Sequence, residues 1–226
     1  MAVTTLHKKI KERHLIEKLL KMEGLITDQE IVDLLLVWCA FKPTAMIELS
    51  YYPRSKFSRK DFLEKTGELE KIFKKIGFHY QLYINHPKNK KEITRYSCVA
   101  RSEKKLNELL AAYSEKNIKV RRLKLGALLG YPVTAVRAFA NGTSLRLEDL
   151  PTSILRKDEL KFLNFRLSKH WDAELAYLKR KAETIRKVAP DFFTKIINKP
   201  KKVYSPKILR NPSATSTRFS VASGVL

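Results

Sequence analysis

Residues 78–100, FHYQLYINHPKNKKEITRYSCVA, decide the fold class. Residues 78–85 and 92–100 are rich in aromatic and β-branched side chains, which suit a pleated, half-buried surface. The HPKNKK between them is polar and basic and contains a proline, as a longer hairpin loop does. Two neighbouring strands are therefore expected. Upstream, residues 45–52 give another short strand, closed by Pro53. Ser58 and Asp61 then form a capping box for a helix over 59–76, with Phe62, Thr66, Leu69, Phe73 and Ile76 on one face. A helix over 103–116 follows, and residues 118–123 (IKVRRL) read as a last strand. The order β-α-β-β-α resembles a split β-α-β arrangement. The expected fold is α+β: a small mixed sheet of three to four strands with packed helices and a helical C-terminal half.

Outward from this core, residues 4–22 read as a helix with a basic polar face. Thr27 and Glu30 make a capping box for a helix over 28–41. That helix is apolar almost all round after Asp33, so it should be buried. Its neighbourhood is acidic: Glu23, Asp28, Glu30, Asp33 and Glu48 stand against one cation, Lys42. On the C-terminal side, residues 124–142 return to helix and a linker with Pro151 follows. Residues 158–188 carry apolar positions at helical spacing, and Ser168 can cap a second helix that splits this region in two. Pro190 stops the pattern, and a helical turn over 192–197 follows. From Lys199 the chain is rich in Pro, Ser and Thr without an acidic residue, a composition expected to be disordered in isolation. The organisation expected is N-terminal helices (1–44), the sheet region (45–123), a helical region (124–198) and a basic tail (199–226).

Charge is the unusual property. Lys plus Arg number 46 against 23 Asp plus Glu, a formal charge of +23 with pI near 10.0. Self-repulsion of that size opposes compactness, and a polyanion relieves it. Two cysteines, Cys39 and Cys98, are too few for a disulfide framework and read as small core residues, in keeping with a reducing, cytoplasmic setting. The longest apolar run, LLLVWCAF, has eight residues. A bilayer needs about 20, so no membrane span is expected, and the basic N-terminus lacks the apolar core of a secretory signal.

Residues 125–142, LGALLGYPVTAVRAFANG, are the most informative about function. Two helices that cross closely need a small residue at the crossing, here Gly126, and a turn residue open to positive φ, here Gly130. Leu125, Leu129, Tyr131, Val136 and Phe139 take the apolar places around them. The phrase resembles the helix-turn-helix of repressor-type DNA-binding domains, with Gly126 where alanine is usual and Pro132 in the turn. The resemblance implies a recognition helix over 133–141, with Thr134, Arg137 and Asn141 facing outward to base edges or phosphates. The plain alternative is a tight helical hairpin closing the core. Residues 125–139 are also similar to an LGYP segment in uncharacterised bacterial and archaeal proteins, some with paired cysteines where this chain has Thr134 and Ala135. That likeness extends weakly to FRLSKHW (165–171) and implies no activity.

Further phosphate contacts are expected from Arg121 and Arg122, from Lys88, Lys90 and Lys91 in the hairpin loop, and from Lys201 and Lys202 in the tail. Tyrosines 51, 52, 80, 83 and 96 with His79 could offer stacking surfaces to a single strand, but strand alternation puts Tyr80 opposite Tyr83, and tyrosines edging a core are the simpler reading. The partner expected is nucleic acid, DNA or RNA. An acidic protein partner, with the chain as an assembly subunit, is the alternative. No cofactor, metal site or catalytic constellation is legible. The five histidines are scattered, and nucleophile-elbow, P-loop, dinucleotide-binding and C-x-x-C motifs are absent. An enzyme whose site assembles from distant residues is the third possibility.

Overall fold

The structure is a computed structural model that describes residues 14, 16–22, 24–51, 58–85, 93–146, 149–155 and 157–199. Three strands form one sheet: β1 (Thr44–Tyr51), β2 (His79–Asn85) and β3 (Ile93–Ala100), in the order β1-β3-β2. Both neighbouring pairs are antiparallel, with Thr44 and His79 each opposite Ala100. β1 and β2 thus run parallel to each other with β3 inserted between them. The crossover from β1 to β2 contains α2 (Arg59–Ile76), preceded in the chain by α1 (Asp28–Trp38). This is the split β-α-β order within an α+β fold.

The alternation of β1 and β3 builds two cores. Ala45, Ile47, Leu49 and Val99 face α1 and α2, where they join Leu34, Leu35, Phe62, Leu69 and Phe73. On the other face Cys98 and Ala100, with Met46, pack against Leu106 and Leu109 of α3 (Glu103–Tyr113) and Leu125 and Leu128 of α4 (Ile118–Leu128). The sheet is the middle layer between two helical layers. Tyr80 lies on the α2 side, its ring edge-on to Phe73 and its hydroxyl donating to Glu70. It edges the core rather than forming an open platform.

The strand expected over 118–123 is corrected to helix. Ile118 and Val120 favour strands, but the Asn117 side chain accepts from the N–H groups of Lys119 (3.0 Å) and Val120 (3.1 Å) and caps a helix there. Leu125 and Leu128 then meet the sheet at helical spacing. Here tertiary packing outweighs propensity.

α1 has the expected capping box, and Glu30 does more: its Oε1 accepts the Glu48 N–H at 2.7 Å and fastens α1 to β1. The helix ends earlier than the expected Phe41. Ala40 takes φ 58°, and the N–H groups of Phe41 and Lys42 both donate to the Leu36 carbonyl. This left-handed closure turns the Lys42 side chain into the protein interior, where the residue is 1% exposed.

α5 (Val133–Asn141) follows α4 across a short turn, and α6 (Thr152–Leu155) follows in turn. The region over 158–188 divides into a 3-10 helix (Asp158–Phe162), an irregular stretch and α7 (Trp171–Val188). α8 (Pro190–Asn198) places its proline in the first turn, where a missing N–H costs nothing. Leu175 and Leu178 of α7 pack with Leu150, Ile154 and Leu167, while Ala182 and Ile185 of the same helix enter the main core beside Phe162, Phe192 and Ile196. α7 therefore ties the C-terminal half to the sheet layers. Among the described residues, no helix is long and apolar enough to cross a membrane.

Candidate functional site

The α4–α5 hairpin is built as its glycines require. A β-carbon at Gly126 would lie 2.6 and 2.7 Å from the γ-carbons of Val136, so the helices can cross this closely only without one. Gly130 has φ +70°, and the Tyr131 N–H donates to the Gly126 carbonyl at 3.0 Å to close the turn. Ala135, Val136, Ala138 and Ala140 bury the inner face of α5, leaving Val133, Arg137 and Asn141 exposed.

Arg137 and Asn141 thus stand where the sequence puts them, but Thr134 does not. Its hydroxyl donates to Glu174 Oε1 at 2.6 Å, so it points toward α7 and has no free donor for a ligand. Glu174 is completely buried and also accepts from the Ser168 N–H (2.8 Å) and Ser168 hydroxyl (2.6 Å). Three donors and the N-terminal turn of α7 hold this carboxylate in place of a counter-cation.

Arg121 and Arg122 are half-exposed on α4. The Arg122 guanidinium lies 4.9 Å from the centre of the Phe139 ring, and that of Arg166 lies 5.8 Å from the same centre. Arg122, Arg137 and Arg166 form no ion pair among the described residues, whereas Lys124 pairs with Glu115 at 2.8 Å. Lys88, Lys90, Lys91, Lys201 and Lys202 lie outside the described residues. The segment FRLSKHW comes into contact with the hairpin: Phe165 meets Tyr131 at 5.5 Å between ring centres, Arg166 meets Phe139, and Ser168 shares Glu174 with Thr134.

Beneath the turn is a buried charge network that sequence reasoning missed. Lys42 Nζ stands 2.8 Å from Asp33 Oδ1, close but off the hydrogen-bond direction, and 5.2 Å from the centre of the Tyr131 ring. Asn164 donates its amide to both Asp33 oxygens, at 3.0 and 2.8 Å. Lys181, completely buried, donates to the Phe162 carbonyl (2.8 Å) and to Asn164 Oδ1 (3.0 Å), with its ammonium 3.6 Å from Asp33 Oδ1. The Tyr177 hydroxyl donates to the Gly130 carbonyl at 2.7 Å, and its ring contacts Phe41 and Phe165. The hairpin turn is thereby seated on residues 41–43 after α1, on α7 and on the stretch that carries Asn164 and Phe165.

Burial alone would raise the Asp33 carboxyl, but the two ammonium groups and the Asn164 amide hold it below its ordinary value. Burial, reinforced by Lys42, pushes Lys181 down to about 7 against the pull of Asp33. The unfolded Lys181 side chain keeps its value of 10.5, so the unfolded chain holds more protons between these limits and stability rises with pH across that window. Below about pH 7 both states are protonated and the penalty is present in full. One proton corresponds to a slope of up to about 1.4 kcal/mol per pH unit. Urea denaturation at pH 7, 8 and 9 should show this rise in the wild type and lose it in Lys181→Met. Parallel profiles for the two proteins would refute the assignment. Above pH 9 the Cys98 thiol, raised by burial from 9.0 to about 12, has the opposite effect and sets the upper end of the useful range.

A cleft of about 490 Å³ opens elsewhere, lined by Trp38, Cys39, Ile76, Gly77, Phe78, Arg101 and Val188. Burial raises the Cys39 thiol, which favours the protonated, less nucleophilic form. Asp33, Lys42 and Lys181 are packed inside the protein and do not line this cleft. No protein-family model, curated protein or solved structure matches this chain.

Proposed function

We propose that the protein binds nucleic acid, with the outer surface of the α4–α5 hairpin as its contact face. The observation that carries this reading is the concentration of Arg121, Arg122, Arg137 and Arg166 on and beside the hairpin, with no ion pair made by Arg122, Arg137 or Arg166 among the described residues. Cations that pair with no carboxylate among the described residues, in a chain of net charge +23, supply the phosphate contacts that dominate such affinity. Arg137 and Asn141 are exposed one turn apart on α5, and both side-chain types can read base edges through paired hydrogen bonds. Thr134 contributes by fixing the helix to Glu174 rather than by reading. Lys88, Lys90, Lys91, Lys201 and Lys202 would add phosphate contacts of their own through charge alone.

The test is binding of the full chain to duplex DNA, single-stranded DNA and structured RNA across a salt series. Binding that persists near physiological salt and prefers one form supports the proposal and identifies the form; loss of all binding there overturns it. With the preferred duplex in hand, Arg137→Ala should weaken it by about 1–3 kcal/mol while affecting random sequence far less. Equal losses on both would reduce Arg137 to a phosphate contact.

A further inference from the structure

We infer that Arg122 and Arg166, gathered on the ring of Phe139, form a clamp for a single backbone phosphate; the inference rests on the nucleic-acid reading and assigns Arg166 and Phe139 to the contact. Three separate elements bring these residues together: α4 supplies Arg122, α5 supplies Phe139, and the irregular stretch before α7 supplies Arg166. The guanidinium carbons lie 4.9 and 5.8 Å from one ring centre. The negative face of an aromatic ring attracts each cation, but the two cations repel each other, and no carboxylate among the described residues pairs with either.

The geometry suits an oxyanion. A guanidinium near an aromatic ring keeps planar N–H groups available for paired hydrogen bonds to phosphate oxygens. A phosphate between the two arginines would accept from both and cancel their repulsion. The half-buried ring restricts where both side chains sit, which reduces the ordering cost on binding. Arg137 and Asn141 are exposed on the helix that carries Phe139, so a strand held at the clamp can continue past them.

Phe139→Leu separates this idea from bulk electrostatics because it removes the ring without changing charge. Binding of a fluorescent phosphodiester oligonucleotide near physiological salt should weaken about tenfold in Phe139→Leu and in Arg166→Gln, and Phe139→Tyr should restore it. On a duplex probe the double variant Arg122→Gln/Arg166→Gln should lower the magnitude of the salt slope by about 0.9, the value for one phosphate, rather than about 1.8 (about 0.7 rather than about 1.4 on a single strand). Thermal melts establish that each variant is folded; if Phe139→Leu is not, the arginine variants decide alone. Wild-type affinity in Arg166→Gln, or a slope change of two phosphates in the double variant, overturns the clamp while the nucleic-acid reading stands. Failure of the wild-type protein to bind any nucleic acid near physiological salt overturns that reading and the clamp with it.

Discussion

Asp33→Ala is expected to destabilise the protein by about 3–5 kcal/mol, because it leaves the buried Lys42 ammonium, and Lys181 wherever it is protonated, without their anion. Lys42 is 1% exposed and Lys181 completely buried, and Asp33 is the carboxylate within ion-pair distance of both. Asn164, which donates to both Asp33 oxygens, would lose its acceptor as well. A loss of this size should lower the melting temperature by roughly 10 °C in a chain of this length. A loss below about 1 kcal/mol in urea denaturation would mean that water or a rearranged side chain reaches the lysines, contrary to their burial. The triple replacement Asp33→Leu, Lys42→Met, Lys181→Met removes the charges together and should restore much of the loss, since apolar substitutes for a buried ion network are often neutral or stabilising. The acid limb has a definite sign. Asp33 is held below its ordinary value in the fold, so its contribution is present at neutral pH and is lost as pH falls through that lowered value.

The parts of this protein legible in its sequence are those specified over short distances. The capping boxes Thr27/Glu30 and Ser58/Asp61 each lie within one turn, and the helices they start begin where those residues predict. The strands of the sheet announce themselves by aromatic and β-branched content, and their order follows from a crossover of one helix. Legibility fails where a local preference meets a distant partner. Ile118 and Val120 suggest a strand, and the helix wins because Leu125 and Leu128 have the sheet face to cover. Thr134 looks free on a helical wheel because Glu174 is forty residues away. The charge network draws on residues 33, 42, 164 and 181, and no periodicity links them. Its one trace in the sequence is compositional: Asp33 in an apolar helix, and Lys42 as the one cation among five carboxylates. A charged residue inside an apolar run asks for a buried partner.

Glu174→Ala should cost about 3 kcal/mol and loosen the hairpin from the rest of the fold. The carboxylate accepts from the Thr134 hydroxyl, the Ser168 hydroxyl and the Ser168 N–H, and removing it leaves two buried donors of Ser168 and the half-buried Thr134 hydroxyl without that acceptor. The consequences reach beyond stability because Thr134 lies in the first turn of α5, beside the exposed Val133 and Arg137. The opposite side of the turn is still held by Tyr177 on the Gly130 carbonyl, so α5 should pivot about its start rather than detach. Hydrogen exchange should therefore quicken most in α5 and in residues 165–170, with the sheet amides nearly unchanged once global stability is matched. Uniform exchange across the chain would show that Glu174 acts only as generic core. Glu174→Gln distinguishes shape from acceptor number: it keeps one carbonyl oxygen for a hydroxyl but puts an NH₂ against donors that need acceptors, so it should recover only part of the loss. On the nucleic-acid reading, both variants should weaken binding at salt where the wild type binds, although neither side chain is on the surface. The same carboxylate joins Ser168 to the first turn of α5, so the geometry of the proposed contact face would be fixed from inside the protein.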